Sequence, residues 1–312
     1  MNHNQPEISF VSPVYRAETI IEELVEAIQK VMVKLGKSYE IILVDDRSPD
    51  DSWSVMTSLS TKHTEVKSIR LSKNFGQHPA IMAGLSLAQG NWVVVMDCDL
   101  QDQPKEVEKL YNKAQEGFDV VLAQRKDRKD GFFKRLTSKV YAKIYSFFTD
   151  TNYDNTVANF GIYKQKVIAS ILEVNDYIKY FPLFVKFVGY DTTAIEVEHG
   201  RREDGKSSYS VSALVSLAFN TIISFSNKPL KIFVKFGMLI SLLSFVSGIY
   251  TIYQYFQGNI EVLGYSSLIV SIWFLSGVII TIIGVTGIYV GKIFNQTKNR
   301  PVYIIDKTIN IE

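Results

Sequence analysis

Two stretches near the C-terminal end, residues 236–257 and 266–290, contain no charged side chain and are largely apolar. Each is long enough to cross the roughly 30 Å hydrocarbon core of a bilayer as a helix, which requires about 20 residues. A helix in the core of a soluble protein seldom stays uncharged over such a length. The sequence therefore predicts a transmembrane hairpin within residues 231–294, followed by a tail over residues 295–312.

The charges around this hairpin predict its orientation. The connection between the spans carries only an acid, whereas basic residues lie outside both spans: Lys228, Lys231, Lys235, Lys292, Lys298 and Arg300. By the positive-inside rule, both ends of the hairpin lie in the cytosol. The polar N-terminus lacks the apolar core of a signal peptide. We therefore expect a multi-pass protein of the inner (cytoplasmic) membrane, with its N-terminal domain and both termini in the cytosol.

The chain before residue 210 alternates short apolar strands with amphipathic helices. This repetition predicts an α/β fold with a doubly wound, mostly parallel sheet, which we assign to residues 1–209. The charge argues against a nucleic acid partner, because 34 basic and 32 acidic residues leave the chain at +2. A single cysteine, Cys98, excludes an internal disulfide and fits a reducing compartment.

Two further segments are typical of helices that lie on a membrane surface. Residues 131–148 set aromatic and aliphatic side chains against cations, and residues 210–230 predict an amphipathic juxtamembrane helix. The alternative is that both helices pack on the sheet. The last residues, from 300 onwards, predict a short strand with another subunit as a candidate partner.

Acidic side chains follow the predicted strand of residues 93–96 in the stretch VVVMDCDLQDQP. Residues i and i+2 of an extended chain point the same way, so Asp97 and Asp99 direct two carboxylates at one point. A shared divalent cation removes the repulsion between them. Cys98 is expected to point into the core, because a lone thiolate makes a poor zinc site. The carboxyl end of a strand is also where open α/β sheets bind their ligands.

A second pair of acids, Asp45 and Asp46, follows the predicted strand of residues 41–44 in ILVDDRSPDDS. Ser48 and Pro49 mark the start of the next helix, so capping does not account for these two acids. An acid in this position can accept hydrogen bonds from a ribose or a base. The two acidic motifs together indicate a site for a nucleotide and a metal ion.

Four motifs, in this order and spacing, resemble the nucleotide-sugar domain of the family 2 glycosyltransferases: VSPVYRAE, VDDRSPDDS, LSKNFGQHPAIMAGL and MDCDLQDQP. With AQRKDR, FFKR, GRREDGKSSYS and the hairpin, the chain is similar to the polyprenyl-phosphate glycosyltransferases, the group of dolichyl-phosphate mannose synthase and bactoprenol glucosyltransferase. The likeness covers about residues 7–295. It implies a GT-A type domain followed by surface helices and a two-helix transmembrane hairpin.

The resemblance implies roles for particular residues. The nucleotide would be bordered and held by Pro13, Tyr15, Glu18, Asp45 and Asp46. The metal ion, Mg²⁺ or Mn²⁺, would be bound by Asp97, Asp99 and Gln101. Phosphate groups would be bound by Arg125, Arg128, Lys134 and Arg135. A loop closing over the donor would contain Arg202, Gly205, Ser207 and Tyr209. By residue pattern alone, these basic segments also fit a solvated loop and a polar linker.

Two positions depart from the family pattern. Asn159 stands where an aspartate is usual, and Ser208 stands where a lysine is common. A phosphate monoester has a second pKa near 6, so at neutral pH the acceptor is largely a dianion that attacks without a base. Asn159 can then orient the acceptor or the sugar. An alcohol acceptor would require a base, for which Asp102 is the remaining candidate.

We therefore expect an inverting, metal-dependent transferase that moves a sugar from a nucleotide diphosphate sugar, with UDP-sugars as first candidates, to polyprenyl phosphate. The product would be a lipid-linked sugar for polysaccharide modification. The catalytic candidates are Asp99, Asp102, Asn159 and Arg125. The expected partners are the two substrates, membrane lipid and further copies of the chain, with a homotetramer as a candidate. Two alternatives stay open: a processive polysaccharide synthase of the same fold, and an inactive membrane scaffold or sugar-nucleotide sensor.

Overall fold

The computed structural model describes residues 5–125, 157–174, 176, 180–198, 226, 228–257 and 264–311. These residues divide into two compact units. The first unit contains the described residues up to 198 together with residues 300–311. The second unit contains the described residues from 226 to 299.

Strands and helices alternate through the first unit, as the sequence predicts. Its strands are β1 (Ile8–Val14), β2 (Tyr39–Asp45), β3 (Val66–Leu71), β4 (Trp92–Val95), β5 (Val120–Arg125), β6 (Val157–Lys164), β7 (Thr192–Val197) and β8 (Ile305–Ile309). Its helices are α1 (Ile21–Leu35), α2 (Ser52–Lys62), α3 (Gln77–Leu85), α4 (Val107–Ala114), α5 (Gln165–Glu173) and α6 (Phe181–Val188), and a 3₁₀ turn (Pro104–Glu106) precedes α4.

An eight-stranded sheet in the order β7-β5-β6-β4-β1-β2-β3-β8 forms the centre of this unit. Strand β1 runs parallel to β2 and β4, β2 runs parallel to β3, and β5 runs parallel to β7. Only β6 and β8 run against their neighbours. Six strands therefore end at one edge of the sheet, which we call the carboxyl edge. The predicted α/β fold with a mostly parallel sheet is confirmed.

The centre of the sheet is fully buried. Every residue of β1 and β4 is buried, as expected for strands covered on both faces. Helix α3 packs especially closely, because a Cβ atom on Gly84 would collide with Val11 of β1 and lie 3.1 Å from Cγ2 of Val44 in β2. Only glycine allows this approach. The close packing fixes the loop that enters α3 from β3.

The predicted C-terminal strand is present as β8, and its partner is β3 of the same chain rather than another subunit. The pairing is antiparallel and sets Ile69 opposite Thr308. Beyond the strand, the side-chain amide of Asn310 donates to the backbone oxygens of Ser60 at 2.6 Å and Val66 at 2.9 Å. The end of the chain thus closes one side of the sheet.

The second unit contains two long helices, α7 (Lys228–Phe256) and α8 (Tyr265–Thr297). Both are long and apolar enough to cross a membrane, with mean hydropathies of 1.8 over Lys228–Ser247 and 2.0 over Ser271–Thr297. The predicted spans lie within these helices except for Gln257, which follows α7 in a turn. Helix α7 begins inside the segment predicted as the juxtamembrane helix. The rest of that segment that precedes residue 226, and residues 131–148, lie outside the described residues.

Candidate active site

Three loops at the carboxyl edge hold a non-glycine residue in the left-handed region of backbone conformation. These residues are Arg16 after β1 (φ 54°), Arg47 after β2 (φ 57°) and Leu100 after β4 (φ 56°). Such conformations are sparsely populated outside glycine and persist where surrounding contacts hold them. Strained backbone of this kind clusters at functional sites, which marks this edge as the place to look for one.

The loops after β1 and β2 are joined by hydrogen bonds. The backbone N–H of Ala17 donates to Oγ of Ser52 at 3.1 Å, and the backbone N–H of Asp51 donates to Oε2 of Glu18 at 2.9 Å. Glu18, predicted to border the nucleotide, therefore also links the two loops. Pro13 and Tyr15 are also predicted to border the nucleotide. Pro13 is buried within β1, whereas the Tyr15 side chain is 45% exposed and accessible to a ligand.

Asp45 stabilises the loop after β2 from inside the fold. Its side chain is fully buried, and Oδ1 accepts the backbone N–H of Ser48 at 2.8 Å. Its other oxygen lies 3.4 Å from Nε of Arg70 in an ion pair. Because both oxygens face protein groups, we assign Asp45 to holding this loop. Asp46 is then the remaining candidate of the two acids for contact with a nucleotide.

Asp46 is buried at the end of β2 and is bound by the loop between β3 and α3. Its Oδ1 accepts the backbone N–H of Phe75 at 2.7 Å, and its Oδ2 accepts that of Gly76 at 2.8 Å. Gly76 has φ 98°, a conformation that favours glycine. Burial raises the pKa of Asp46, while the two N–H bonds act against that shift. The remaining lone pairs of this carboxylate can still accept hydroxyl or amide donors from a ligand.

The predicted metal ligands Asp97, Asp99 and Gln101 lie together in the loop after β4 and are partly buried. Asp97 Oδ1 accepts the side-chain amide of Gln77 at 2.6 Å, and Asp99 Oδ1 accepts the backbone N–H of Gln101 at 3.2 Å. Within the described part of the chain, no group of three or more His, Cys, Asp or Glu side chains could hold a metal ion. Two carboxylates nevertheless fit Mg²⁺ or Mn²⁺, since such ions are often completed by waters and substrate phosphates.

Cys98 packs against the hydrophobic core between the two acids. Burial raises the pKa of its thiol to about 12, so the neutral form prevails at physiological pH. A neutral thiol is a poor metal ligand. The position of Cys98 agrees with its predicted orientation into the core.

Asn159 lies at the same edge, on the antiparallel strand β6. The register pairs Val95 of β4 with Gly161, and continuing it by two residues sets Asn159 level with Asp97. The side chain of Asn159 is partly buried, and its backbone oxygen accepts the Tyr163 hydroxyl at 3.3 Å. A residue at this place can reach a substrate bound beside the acids after β4.

Asp102, the alternative base, is only 4% exposed. Its charge contributes to raising the pKa of Tyr163, an effect dominated by the burial of that tyrosine. Asp46 is buried to the same degree, at 3% exposed, so burial alone does not distinguish the two acids as contacts of a substrate.

Of the predicted phosphate-binding residues, Arg125 ends β5 and so lies at the carboxyl edge, where its backbone is level with Val197 of β7. The other basic and loop residues lie outside the described part of the chain: Arg128, Lys134, Arg135, Arg202, Gly205, Ser207, Ser208 and Tyr209. The described site thus contains the nucleotide and metal candidates, and one of the phosphate candidates.

One residue of the site had no role assigned from the sequence. Gln77, the first residue of α3, contacts Asp97 although 20 positions separate them in the chain. The motif LSKNFGQHPAIMAGL contains a feature that could have indicated a role for Gln77. It places this polar side chain directly after a glycine, at the start of an apolar helix. Its partner could not be read from the sequence, because the contact depends on how the loop crosses the sheet.

His78, the second residue of α3, predicts a measurable pH dependence of stability. Its ring packs edge-on against Tyr180 at 4.6 Å between centroids, and burial lowers its pKa to about 4. The unfolded imidazole protonates near pH 6.5, so this contribution is complete above that pH and is lost as pH falls towards 4. We expect the free energy of unfolding to fall by about 2 kcal/mol between pH 7 and pH 5 from this residue.

Denaturant unfolding of the purified chain at both pH values checks this expectation. His78→Phe keeps an aromatic ring and should remove the His78 share of the decrease. An identical decrease in His78→Phe and wild type would contradict the assignment.

The comparisons with known proteins agree with this geometry. A family model described as Glycosyl transferase family 2 matches residues 9–172. The chain is 34% identical to the uncharacterized glycosyltransferase YkcC of Bacillus subtilis (strain 168), over 97% of this chain and 94% of that protein. It is 33% identical to the bactoprenol glucosyl transferase of Shigella phage SfII, over 96% and 98% of the two chains.

A further relative is the undecaprenyl-phosphate 4-deoxy-4-formamido-L-arabinose transferase of Klebsiella pneumoniae (strain 342), which is 30% identical over 97% of this chain and 93% of that protein. Among solved structures, the glucosyl-3-phosphoglycerate synthase of Mycobacterium tuberculosis in complex with Mn²⁺, UDP-glucose and phosphoglyceric acid matches with a TM-score of 0.51. The identity is 16%, over 70% of this chain and 78% of that chain. At this identity the likeness concerns the fold, a GT-A-like mostly parallel sheet.

Proposed function

Because this chain belongs to glycosyl transferase family 2, we propose that it transfers a sugar from a nucleotide diphosphate sugar to polyprenyl phosphate and yields a lipid-linked sugar. The observation that carries the proposal is the placement of Asp46, Asp97 and Asp99 at one edge of the sheet, in a chain with two helices apolar enough to cross a membrane. Relatives named for undecaprenyl phosphate and bactoprenol match nearly the whole chain, which supports an isoprenoid phosphate acceptor.

The proposed reaction is a single displacement with inversion. An oxygen of the acceptor phosphate attacks the anomeric carbon, the bond from that carbon to the diphosphate oxygen breaks, and the nucleoside diphosphate leaves. Asp46 would hold the ribose or base, and Mg²⁺ or Mn²⁺ would be held by Asp97, Asp99 and Gln101. When bound, such an ion would supply positive charge to offset the charge on the leaving diphosphate. The protein contributes chiefly by positioning the reactants and by stabilising charge.

We infer that the donor is a UDP-sugar and that transfer takes place at the cytosolic face of the inner membrane. The basic residues that flank the two uncharged spans, residues 236–257 and 266–290, support this orientation. Arg125, Arg128, Lys134 and Arg135 are the proposed contacts of the phosphates, and the segment with Arg202, Ser207 and Tyr209 is the proposed closing loop. Assembly into a homo-oligomer, with a tetramer as first candidate, stays a prediction.

Asn159 provides a test of the acceptor's chemistry. An acceptor that is already a dianion has no proton to lose, so Asn159→Asp should not accelerate transfer. It should slow transfer by about tenfold, since a second carboxylate level with Asp97 repels the incoming phosphate. The wild-type rate should rise with pH to a plateau above about pH 6, where the second phosphate proton is lost. Initial rates between pH 5 and pH 8 check both expectations.

Asn159→Ala is the comparison for this variant, because it removes the amide without adding charge. A faster Asn159→Asp enzyme, or one whose rate follows the titration of a new carboxylate, would indicate that a base is needed. That result would point to an alcohol acceptor and would contradict the proposed substrate.

A transfer assay tests the proposed function. The full chain in detergent is incubated with Mn²⁺, undecaprenyl phosphate and radiolabelled UDP-glucose, UDP-N-acetylglucosamine or GDP-mannose in parallel. We expect label in the organic phase with one of these donors, and none when undecaprenol replaces its phosphate. Label in an aqueous polymer would indicate a processive synthase. Donor that binds but is not consumed in any reaction would indicate a sensor.

A further inference from the structure

A short loop at the carboxyl edge, residues 75–77, contacts acids that belong to two different strands. The backbone N–H groups of Phe75 and Gly76 bind the two oxygens of Asp46, at the end of β2. The side-chain amide of Gln77 binds Oδ1 of Asp97, beyond the end of β4, at 2.6 Å. We call residues 75–77 the bridging loop. It connects the proposed nucleotide site with the proposed metal site.

The bridging loop contacts two acids that follow strands which are not neighbours in the sheet. Strand β1 lies between β2 and β4, so two inter-strand spacings of about 4.8 Å separate the strands that carry the two acids. The loop leaves β3, on the far side of β2, and still reaches Asp97. A contact across this distance ties together residues that the sheet itself keeps apart.

The bridging loop is also held in place by the structure behind it. Gly76 has φ 98°, which orients its N–H towards Asp46. Gln77 is the first residue of α3, and α3 is fixed against β1 and β2 at Gly84. A carboxamide that starts from such a fixed backbone position can set the orientation of a carboxylate. The bond joins the carboxamide to a carboxylate oxygen, and the Gln77 side chain is exposed.

We propose that Gln77 is a positioning residue for the metal site, and that the bridging loop couples cation binding to nucleotide binding. Gln77 restrains one oxygen of Asp97, so that the carboxylate is already oriented when the cation arrives. Substitution of a residue that hydrogen-bonds to a metal ligand typically lowers metal affinity by 10- to 100-fold. Because Phe75 and Gly76 directly precede Gln77 and bind Asp46, a nucleotide that engages Asp46 stabilises the same loop. The inference rests on the proposed metal site and not on the identity of the acceptor.

Manganese binding measured by electron paramagnetic resonance tests this inference without any transfer reaction. Free Mn²⁺ is titrated with the full chain in detergent, with and without UDP. Gln77→Leu removes the amide and leaves an apolar side chain that is one atom shorter. We expect the dissociation constant of Mn²⁺ to rise 10- to 100-fold in this variant. UDP should tighten Mn²⁺ binding in the wild type and should do so less in the variant.

The matched control is Gln115→Leu, which changes an exposed glutamine at the end of α4, where the chain enters β5 at the opposite edge of the sheet. It should bind Mn²⁺ as the wild type does. Gln77→Asn retains the amide on a shorter side chain and should give an intermediate affinity. If Gln77→Leu does not fold, Gln77→Asn provides the test of the inference instead.

Several outcomes would overturn the inference. Unchanged Mn²⁺ affinity in both Gln77 variants means that the amide does not position Asp97. An equal loss in Gln115→Leu means that the effect is not local, and an unchanged effect of UDP in Gln77→Leu means that the loop does not couple the sites. A wild type that binds no Mn²⁺ even in the presence of UDP would also refute the metal site. A wild type that binds Mn²⁺ but transfers no sugar refutes only the proposed function.

Discussion

Replacing Asp99 by asparagine is expected to lower the rate of sugar transfer by about 1,000-fold while the chain remains folded. The substitution keeps the shape of the side chain and removes one of two carboxylates that lie together in the loop after β4. Without that charge the cation binds weakly, and the negative charge on the leaving diphosphate is no longer neutralised. Initial rates at increasing Mn²⁺ concentration measure the loss, and a thermal melt confirms the fold.

Cys98→Ala is the control for this variant, because Cys98 stands between the two acids and packs into the core. It should retain wild-type dependence on Mn²⁺, with only a small loss of stability. Chelation of divalent ions should stop transfer by the wild type, and added Mn²⁺ should restore it. If Asp99→Asn turned over as fast as the wild type, Asp99 would be excluded as a metal ligand.

Deleting residues 300–312 is expected to destabilise the first unit by at least about 3 kcal/mol, which is a large part of the stability of an ordinary domain. The deletion removes β8 and leaves the backbone groups of β3 without their antiparallel partner. It also exposes a sheet edge that can pair with other chains. Denaturant unfolding and light scattering measure these two consequences.

A single substitution separates the strand's contacts from the general effect of a truncation. Asn310→Ala removes the side-chain bonds to Ser60 and Val66, and we expect it to cost about 2 kcal/mol. Arg16→Ala is the matched control, since Arg16 lies in the same unit and has a similar left-handed backbone (φ 54°, against 57° for Asn310) with an exposed side chain. Equal losses in the two variants would mean that backbone strain, and not these bonds, explains the effect.

The parts of the fold that the sequence predicts are those governed by local patterns. The short apolar run of residues 93–96 favours a buried strand, and acids directly after such a strand lie at its carboxyl end. That reasoning placed Asp46, Asp97 and Asp99 at one edge. It could not separate Asp45 from Asp46, because adjacent acids look alike until one of them is paired with Arg70 inside the fold.

Contacts between distant segments were beyond the sequence. The alternation of side chains along β8 predicts which of them share a face of the sheet. It does not predict which strand β8 pairs with, so the pairing with β3 could be seen only in the structure. The bridging loop is a similar case, because the residues around Gln77 do not predict that its side chain contacts Asp97. Such pairings depend on the topology of the whole sheet.

The return of the chain to β3 after both apolar helices has a consequence for biosynthesis. Asn310 and Ser60 are 250 residues apart, and at about 5 to 20 residues per second a ribosome needs roughly 12 to 50 s to make the chain between them. During that interval β3 has a free edge, and the nascent sheet is open to wrong pairings. The sheet is therefore complete only after both apolar helices have been synthesised.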